Sequence, residues 1–293
     1  MNSRTQFEPI AWLASVFGRK KGRGEAAMTK AEIERLQALL NKTGGLLELD
    51  GVMGPATRQA IRDAREMAGL APGEEADDAL LRWLDRLPDP CPALPTEGVC
   101  FIAREEAGSR DFYESQTAFP HWPGEFSGIT IGVGYDLRFS ADTFERDWGD
   151  KLGAREISAL RQHLGAPGSA AAATDLSWIR VPWPTAWQVF VGHTLPQQIE
   201  TTANTYDTLD RLPGLCRSVL VSLVFNRGPS VSDDPGSDRR AEMRRIRDLL
   251  AVGRTAEVAD QILAMRRLWP NSRGLRERRE REAELWREGL SRG

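Results

Sequence analysis

The chain has 293 residues, and its 39 Lys and Arg against 42 Asp and Glu leave a net charge of −3. That balance excludes a polycation held to nucleic acid by whole-chain charge, while the length suits one or two domains with a sizeable core. No stretch reaches the roughly 20 apolar residues of a membrane-spanning helix. Cys91, Cys100 and Cys216 lack any C-x-x-C spacing, which excludes a disulfide framework and a cysteine zinc site. They are expected as free thiols, although Cys91 and Cys100 could pair in an oxidising compartment. His121, His163 and His193 stand far apart without ligand spacing, so they read as surface or structural histidines and no metal or organic cofactor is expected.

Residues 1–28 form a leader. Its apolar run Ile10–Phe17 precedes the basic Arg19-Lys20-Lys21-Gly22-Arg23, the reverse of a signal peptide's order. A largely disordered leader is expected, with a weak membrane-surface anchor as the alternative. Residues 29–86 read as a small three-helix domain. Ile33, Leu36 and Leu40 recur at helical spacing over Ala31–Leu40, and Thr29 with Glu32 gives a capping-box pattern. Thr57–Met67 and Asp77–Leu84 supply the second and third helices. Residues 87–98 carry four prolines and no periodicity, which predicts a semi-rigid linker. Residues 99–293 then form the second domain. Helices are expected over Ser140–Trp148, Arg155–Leu164, Thr185–Phe190, Ile199–Leu209, Gly214–Asn226, Met243–Ala251, Ala256–Met265 and Arg276–Leu285, with Gly165–Ala173 a small-residue loop. The fold class is α+β, mostly α.

In the first domain, Leu36-Gln37, Leu40-Asn41, Asp50-Gly51, Gly54-Pro55, Thr57, Ala60-Ile61 and Gly69-Leu70 fall in one order. Together they resemble the small peptidoglycan-binding domain found beside cell-wall hydrolases. That family usually continues with Phe-Gln where this chain has Ala64-Arg65, which puts ligand affinity in question.

The stretch Arg104–Leu137 carries the chemistry. Glu105 and Glu106 lie on a predicted helix ending near Tyr113, and one turn of helix should turn them to different sides. Trp122-Pro123-Gly124 follows, and then Ser127-Gly128-Ile129-Thr130-Ile131-Gly132-Val133-Gly134-Tyr135-Asp136-Leu137. Read as one regular strand, the last segment sets Thr130, Gly132, Gly134 and Asp136 on one face. The bare glycines would then leave a trough for water or sugar. The arrangement is similar to that of the phage-type lysozymes (endolysins), and most closely to their pesticin-like branch. Val224-Phe225-Asn226-Arg227-Gly228 and Trp269 … Gly274-Leu275-Arg276-Glu277-Arg278-Arg279-Glu280 add two further segments in the same order.

The resemblance implies a peptidoglycan hydrolase, an N-acetylmuramidase cleaving the MurNAc–GlcNAc bond. Glu106 would be the general acid, Thr130 the holder of the attacking water, and Asp136 the third catalytic residue. Inversion with carboxyl groups about 6.5–9.5 Å apart is expected, and an acid role asks for apolar surroundings at Glu106. Tyr135 and Trp122 are candidate substrate contacts. Asp111 is a rival to Asp136, but five residues after Glu106 it points about 140° away on a helix. Peptidoglycan is the expected partner, nucleic acid is not, and the chain is expected to be a monomer. It would be made in the cytoplasm and act at the cell wall, as a prophage endolysin or an exported toxin. A lytic transglycosylase and a non-catalytic wall-binding protein are the alternatives. From Arg239 to Gly293 there are fifteen Arg and nine Asp plus Glu, a net of +6. This run reads as a solvated helical surface laced with i,i+4 pairs.

Overall fold

The computed structural model describes residues 28–124, 126–232 and 238–293. Most of the predicted leader therefore lies outside the described residues. The chain divides after Pro88 into two compact units. Among the described residues no helix is long and apolar enough to cross a membrane.

The first unit is built from α1 (Lys30–Asn41), α2 (Pro55–Met67) and α3 (Asp78–Arg86). The capping box at the start of α1 is complete: Thr29 Oγ1 accepts from the Glu32 amide, and Glu32 accepts from the Thr29 amide. Leu36, Leu40, Ile61, Leu80 and Leu84 form the centre of its core, each such side chain contributing about 1.5–3 kcal/mol on burial. Gln37 is buried against the turn, donating to Asp50, Val52 and Thr57 while accepting from the Gly51 amide. The Ala64-Arg65 pair has a structural reason. Ala64 sits in the core, and Arg65 turns back to clamp the next loop, donating to the carbonyls of Ala71 (2.8 Å) and Glu75 (2.9 Å) and to Asp77 (2.8 Å). An arginine fork thus fixes this loop by hydrogen bonds.

The second unit is mostly helical with one two-stranded antiparallel sheet, an α+β, mostly α architecture. Much of the expected 87–98 linker belongs to it. Cys91 and Leu94 are buried, and Pro95 precedes α4 (Thr96–Ala107). The prolines here shape the start of a folded unit, because their neighbours find apolar cover. All three cysteines are buried, and none forms a disulfide. Helix α4 ends at Gly108, whose φ of 77° stops it, so the expected continuation to Tyr113 becomes a separate turn at Arg110–Phe112 capped by Ser109.

Strands β1 (Thr130–Ile131) and β2 (Tyr135–Asp136) follow. Beyond them come α5 (Phe144–Trp148), α6 (Ala154–Arg161) and α7 (Ala170–Asp175). The last occupies the predicted loop 165–173, where four alanines follow the N-cap Ser169. Helix α8 (Trp183–Val189) runs through a wide turn at Phe190–Thr194 into α9 (Leu195–Thr205). At the centre is α10 (Gly214–Arg227), packed on α4 and on α13 (Arg273–Arg292), with α11 (Ala241–Ala251) and α12 (Val258–Ala264) completing the set. Gly98 is the point of closest approach between α4 and α10, since a Cβ there would overlap Ser218.

Two measurements test these anchors. Arg65→Leu leaves two loop carbonyls without their donor and is expected to lower the unfolding free energy by about 2 kcal/mol in urea melts. Asp147 accepts from Tyr135 and Arg146 and meets His193 at 3.0 Å. Burial opposes its charge, yet these partners hold its carboxyl below the usual range. A lowered folded value gives stability that is full above the unfolded pKa and is lost as pH falls through the folded one. Asp147→Asn should therefore flatten the loss of stability below about pH 4, read from melts across an acid pH series.

Candidate functional site

The site begins with a hairpin rather than one long strand. Thr130 pairs with Asp136 and Ile131 with Tyr135, and residues 132–134 form the connecting loop. Gly132 and Gly134 have φ of 57° and 66°, values that let the chain reverse within three residues. Thr130 and Asp136 still share a face, now because directly opposed residues of an antiparallel pair point the same way. The expected open trough over the glycines is not present. A Cβ on Gly132 would meet Trp148 at 3.0 Å, and one on Gly134 would meet Phe225 at 3.0 Å. The glycines are needed for close packing.

A third segment extends the ribbon. His121 forms an isolated antiparallel bridge to Thr130, with mutual backbone hydrogen bonds of 3.0 and 2.8 Å. His121, Thr130 and Asp136 thus form a row across one face. Sequence reading assigned His121 no site role, because nothing in its spacing betrays a bridge made nine residues away. Burial pushes its imidazole below the usual range, opposed by the Phe119 carbonyl 3.2 Å from Nδ1. Thr130 is 6% exposed, and its hydroxyl makes no hydrogen bond to the described residues.

Asp136 is committed to the loop before it. Both carboxylate oxygens accept from the Gly128 amide at 3.0 Å, and Oδ1 also accepts from the Arg138 amide at 2.9 Å. This is the strand-end cap expected of an Asp followed two residues later by a free N–H. Asp111, its rival, is exposed on the turn at Arg110–Phe112, outside these contacts.

Glu106 closes α4 beside the hairpin loop: its Cβ lies 3.6 Å from where a Gly134 Cβ would stand. The expected apolar surroundings are absent. Glu106 Oε1 accepts from Arg278 Nη2 at 2.6 Å, while Oε2 has no partner among the described residues. Arg278 is itself fixed by the Ser222 carbonyl (2.9 Å) and hydroxyl (3.0 Å), Glu282 (3.2 Å) and the Glu105 carbonyl (3.2 Å). Burial works against its charge, but Glu106 and Glu282 outweigh that, holding the guanidinium above its ordinary range. Glu105 turns to a different partner at the edge of this network. It takes a two-pronged hydrogen bond from Arg281 (2.6 and 2.9 Å), and Arg278 lies 3.8 Å away. The Arg-rich segment is therefore not only a solvated surface: Arg278, Arg279 and Glu282 are buried beside α4 and α10.

Of the two expected substrate contacts, one is overturned. Tyr135 is 4% exposed and donates to Asp147 at 2.9 Å while packing edge-on against Trp148, so it serves the core. The β-strand period turned it inward on the face opposite Thr130. Trp122 is 37% exposed, donates to the Ser127 carbonyl, and remains open to a ligand. Phe126 and Phe139 are exposed on the same loops, and Arg138 joins them by donating to the Phe126 carbonyl and lying over the Phe139 ring. A hollow of about 500 Å³ lies instead on the first unit, lined by Arg62, Glu66, Gly69, Leu70, Pro72 and Gly73. Chemistry rather than concavity singles out the hairpin. No group of His, Cys, Asp and Glu suited to a metal ion occurs among the described residues.

No protein-family model matches this sequence, and no curated protein is significantly similar to it.

Removing one partner of a buried pair costs far more than removing an exposed one. Arg278→Met should lower the unfolding free energy by about 3–5 kcal/mol. Arg273→Ala, which breaks an exposed pair with Glu277, should cost about 0.5 kcal/mol or less. Denaturant melts of the two variants, side by side, give the comparison.

Proposed function

We propose that the chain is a peptidoglycan hydrolase of the muramidase type that cleaves between N-acetylmuramic acid and N-acetylglucosamine. The observation that carries this reading is the two-sided setting of Glu106. A buried arginine fixes one oxygen and the other has no protein partner, at the edge of a hairpin that pairs Thr130 with Asp136.

In this reading Glu106, held by Arg278 instead of the apolar surroundings expected of an acid, must first take up a proton on Oε2, and it delivers that proton to the glycosidic oxygen as the bond breaks. Arg278 keeps the carboxyl group in one orientation, so little reorganisation is needed during the reaction. The unengaged Thr130 hydroxyl holds a water whose oxygen bonds to the anomeric carbon as the glycosidic bond breaks, and a remaining lone pair of Asp136 accepts the proton that this water gives up. The exposed indole of Trp122 suits the apolar face of a sugar ring. The first unit would hold the enzyme on an insoluble polymer and raise its effective concentration there, acting at the cell wall after synthesis in the cytoplasm.

One observation favours a second reading. Asp136 already accepts three backbone hydrogen bonds, which leaves it less free to manage a water. A lytic transglycosylase needs Glu106 alone, and its product carries a 1,6-anhydro ring.

Digestion of purified peptidoglycan by the wild type and Glu106→Gln, with mass spectrometry of the products, tests both. Reducing fragments are expected from the wild type, with at least about a hundredfold loss in the variant. Thr130→Val should lose activity by a similar order if water is the nucleophile. Anhydro products insensitive to Thr130→Val would select the transglycosylase. Absence of soluble fragments from a folded wild type would leave a wall-binding protein.

A further inference from the structure

Three arginines gather where α10 ends. Arg227 Nε and Arg240 Nη1 both point at one atom, the Met243 sulfur, at 3.4 and 3.3 Å. A thioether is a weak acceptor, and although Arg227 Nη2 also donates to the Arg239 carbonyl, among the described residues neither guanidinium has a carboxylate within ion-pair distance. The acid nearest in charge, Glu242, is taken by Arg267 at 2.6 Å. Trp269 forms a wall, with the guanidinium carbons of Arg227 and Arg279 at 5.1 and 5.6 Å from its ring centre. Arg279 is fully buried, and although Nη2 reaches Asn226 and Glu282, its Nε and Nη1 have no acceptor among the described residues. The Tyr206 hydroxyl, also buried, has no hydrogen-bond partner among the described residues and lies within electrostatic reach of Arg227 and Arg240.

Placing like charges together around unfilled donors costs stability unless something compensates them. The strain is visible at Arg227, which burial and the neighbouring Arg240, Arg279 and Arg239 bring down to about 10. An anion of high charge density supplies what is missing. Paired guanidiniums match the oxygens of a phosphate group, each fork donating to two oxygens.

We propose that Arg227 and Arg240, walled by Trp269 and backed by the buried charge of Arg279, form a binding site for a phosphate-class oxyanion. Arg227 and Arg240 would donate directly, displacing their contacts to the Met243 sulfur. Arg279 would act from beneath through its charge. The site stands independently of the hydrolase reading, since it uses neither Glu106 nor the hairpin. Free inorganic phosphate and the phosphodiester of an anionic polymer present the same oxygens, so either could be the source.

The test titrates inorganic phosphate into the full chain and follows thermal melting and heat of binding, against sodium chloride at matched ionic strength. A saturable rise in melting temperature with phosphate and not with chloride is expected. Binding should weaken at least tenfold in both Arg227→Gln and Arg240→Gln, and remain unchanged in Arg254→Gln, whose partner is Glu257. Because Arg227 also packs on Trp269, Arg240→Gln keeps the test valid if the first variant folds poorly. A parallel titration with poly(glycerol phosphate) separates the sources. Tighter binding of the polymer, lost in the same variants, assigns the phosphodiester, and a response to inorganic phosphate alone assigns the free ion. Equal responses to phosphate and chloride, or a phosphate response that both variants retain, overturn the site.

Discussion

The second unit depends on one buried cation. Arg278 joins three helices: α13 carries it, α4 offers Glu106 and the Glu105 carbonyl, and α10 offers Ser222. A guanidinium has five donors in a rigid plane, so it can satisfy several acceptors that face each other across a helix junction. Burying such a group is expensive unless each partner is in place. The same expense makes the junction specific, since a shifted helix would leave a charge unmatched. Position and chemistry are thereby coupled, because the carboxylate that completes the network is also the one facing the hairpin.

The hairpin illustrates a second coupling. Its loop glycines admit Trp148 from α5 and Phe225 from α10, so the turn is wedged between aromatic rings. Asp136 then draws the preceding loop onto the ribbon through the Gly128 amide. Thr130 lies between two backbone partners, His121 and Asp136. Short strands of this kind have little stability alone, and here packing and side-chain capping supply what the ladder lacks.

Much of the helical framework was legible from the sequence because it rests on local signals. Thr29 with Glu32 marks a helix start through its own hydrogen bonds, and the Leu36–Leu40 spacing marks a buried face. Glu106, Thr130 and Asp136 were singled out through the resemblance their segments carry, and the fold sets Thr130 opposite Asp136 with Glu106 beside the connecting loop. What the sequence concealed depended on partners far along the chain. Arg278 looks like one more surface arginine until α13 is laid beside α4. Likewise, the strand-like alternation around Gly132 hides a reversal that only the packing of Trp148 and Phe225 explains. Leu94 gives no hint of its burial, since a proline-rich context reads as linker wherever the covering surface is unseen. Tyr135 shows the opposite error: it was expected as a substrate contact, whereas strand geometry sends it to the face opposite Thr130 and Asp136, into the core.

The bond between Glu106 and Arg278 spans 172 positions, which has a consequence for the nascent chain. At about 5–20 residues per second, a ribosome needs roughly 9 to 34 seconds to travel that distance. Throughout that interval Glu105 and Glu106 exist without the arginines that later receive them, and α4 has no α13 to rest on. The proposed acid is thus assembled from the two ends of its domain. A chain interrupted before residue 278 cannot make this pair, however well its earlier helices have formed.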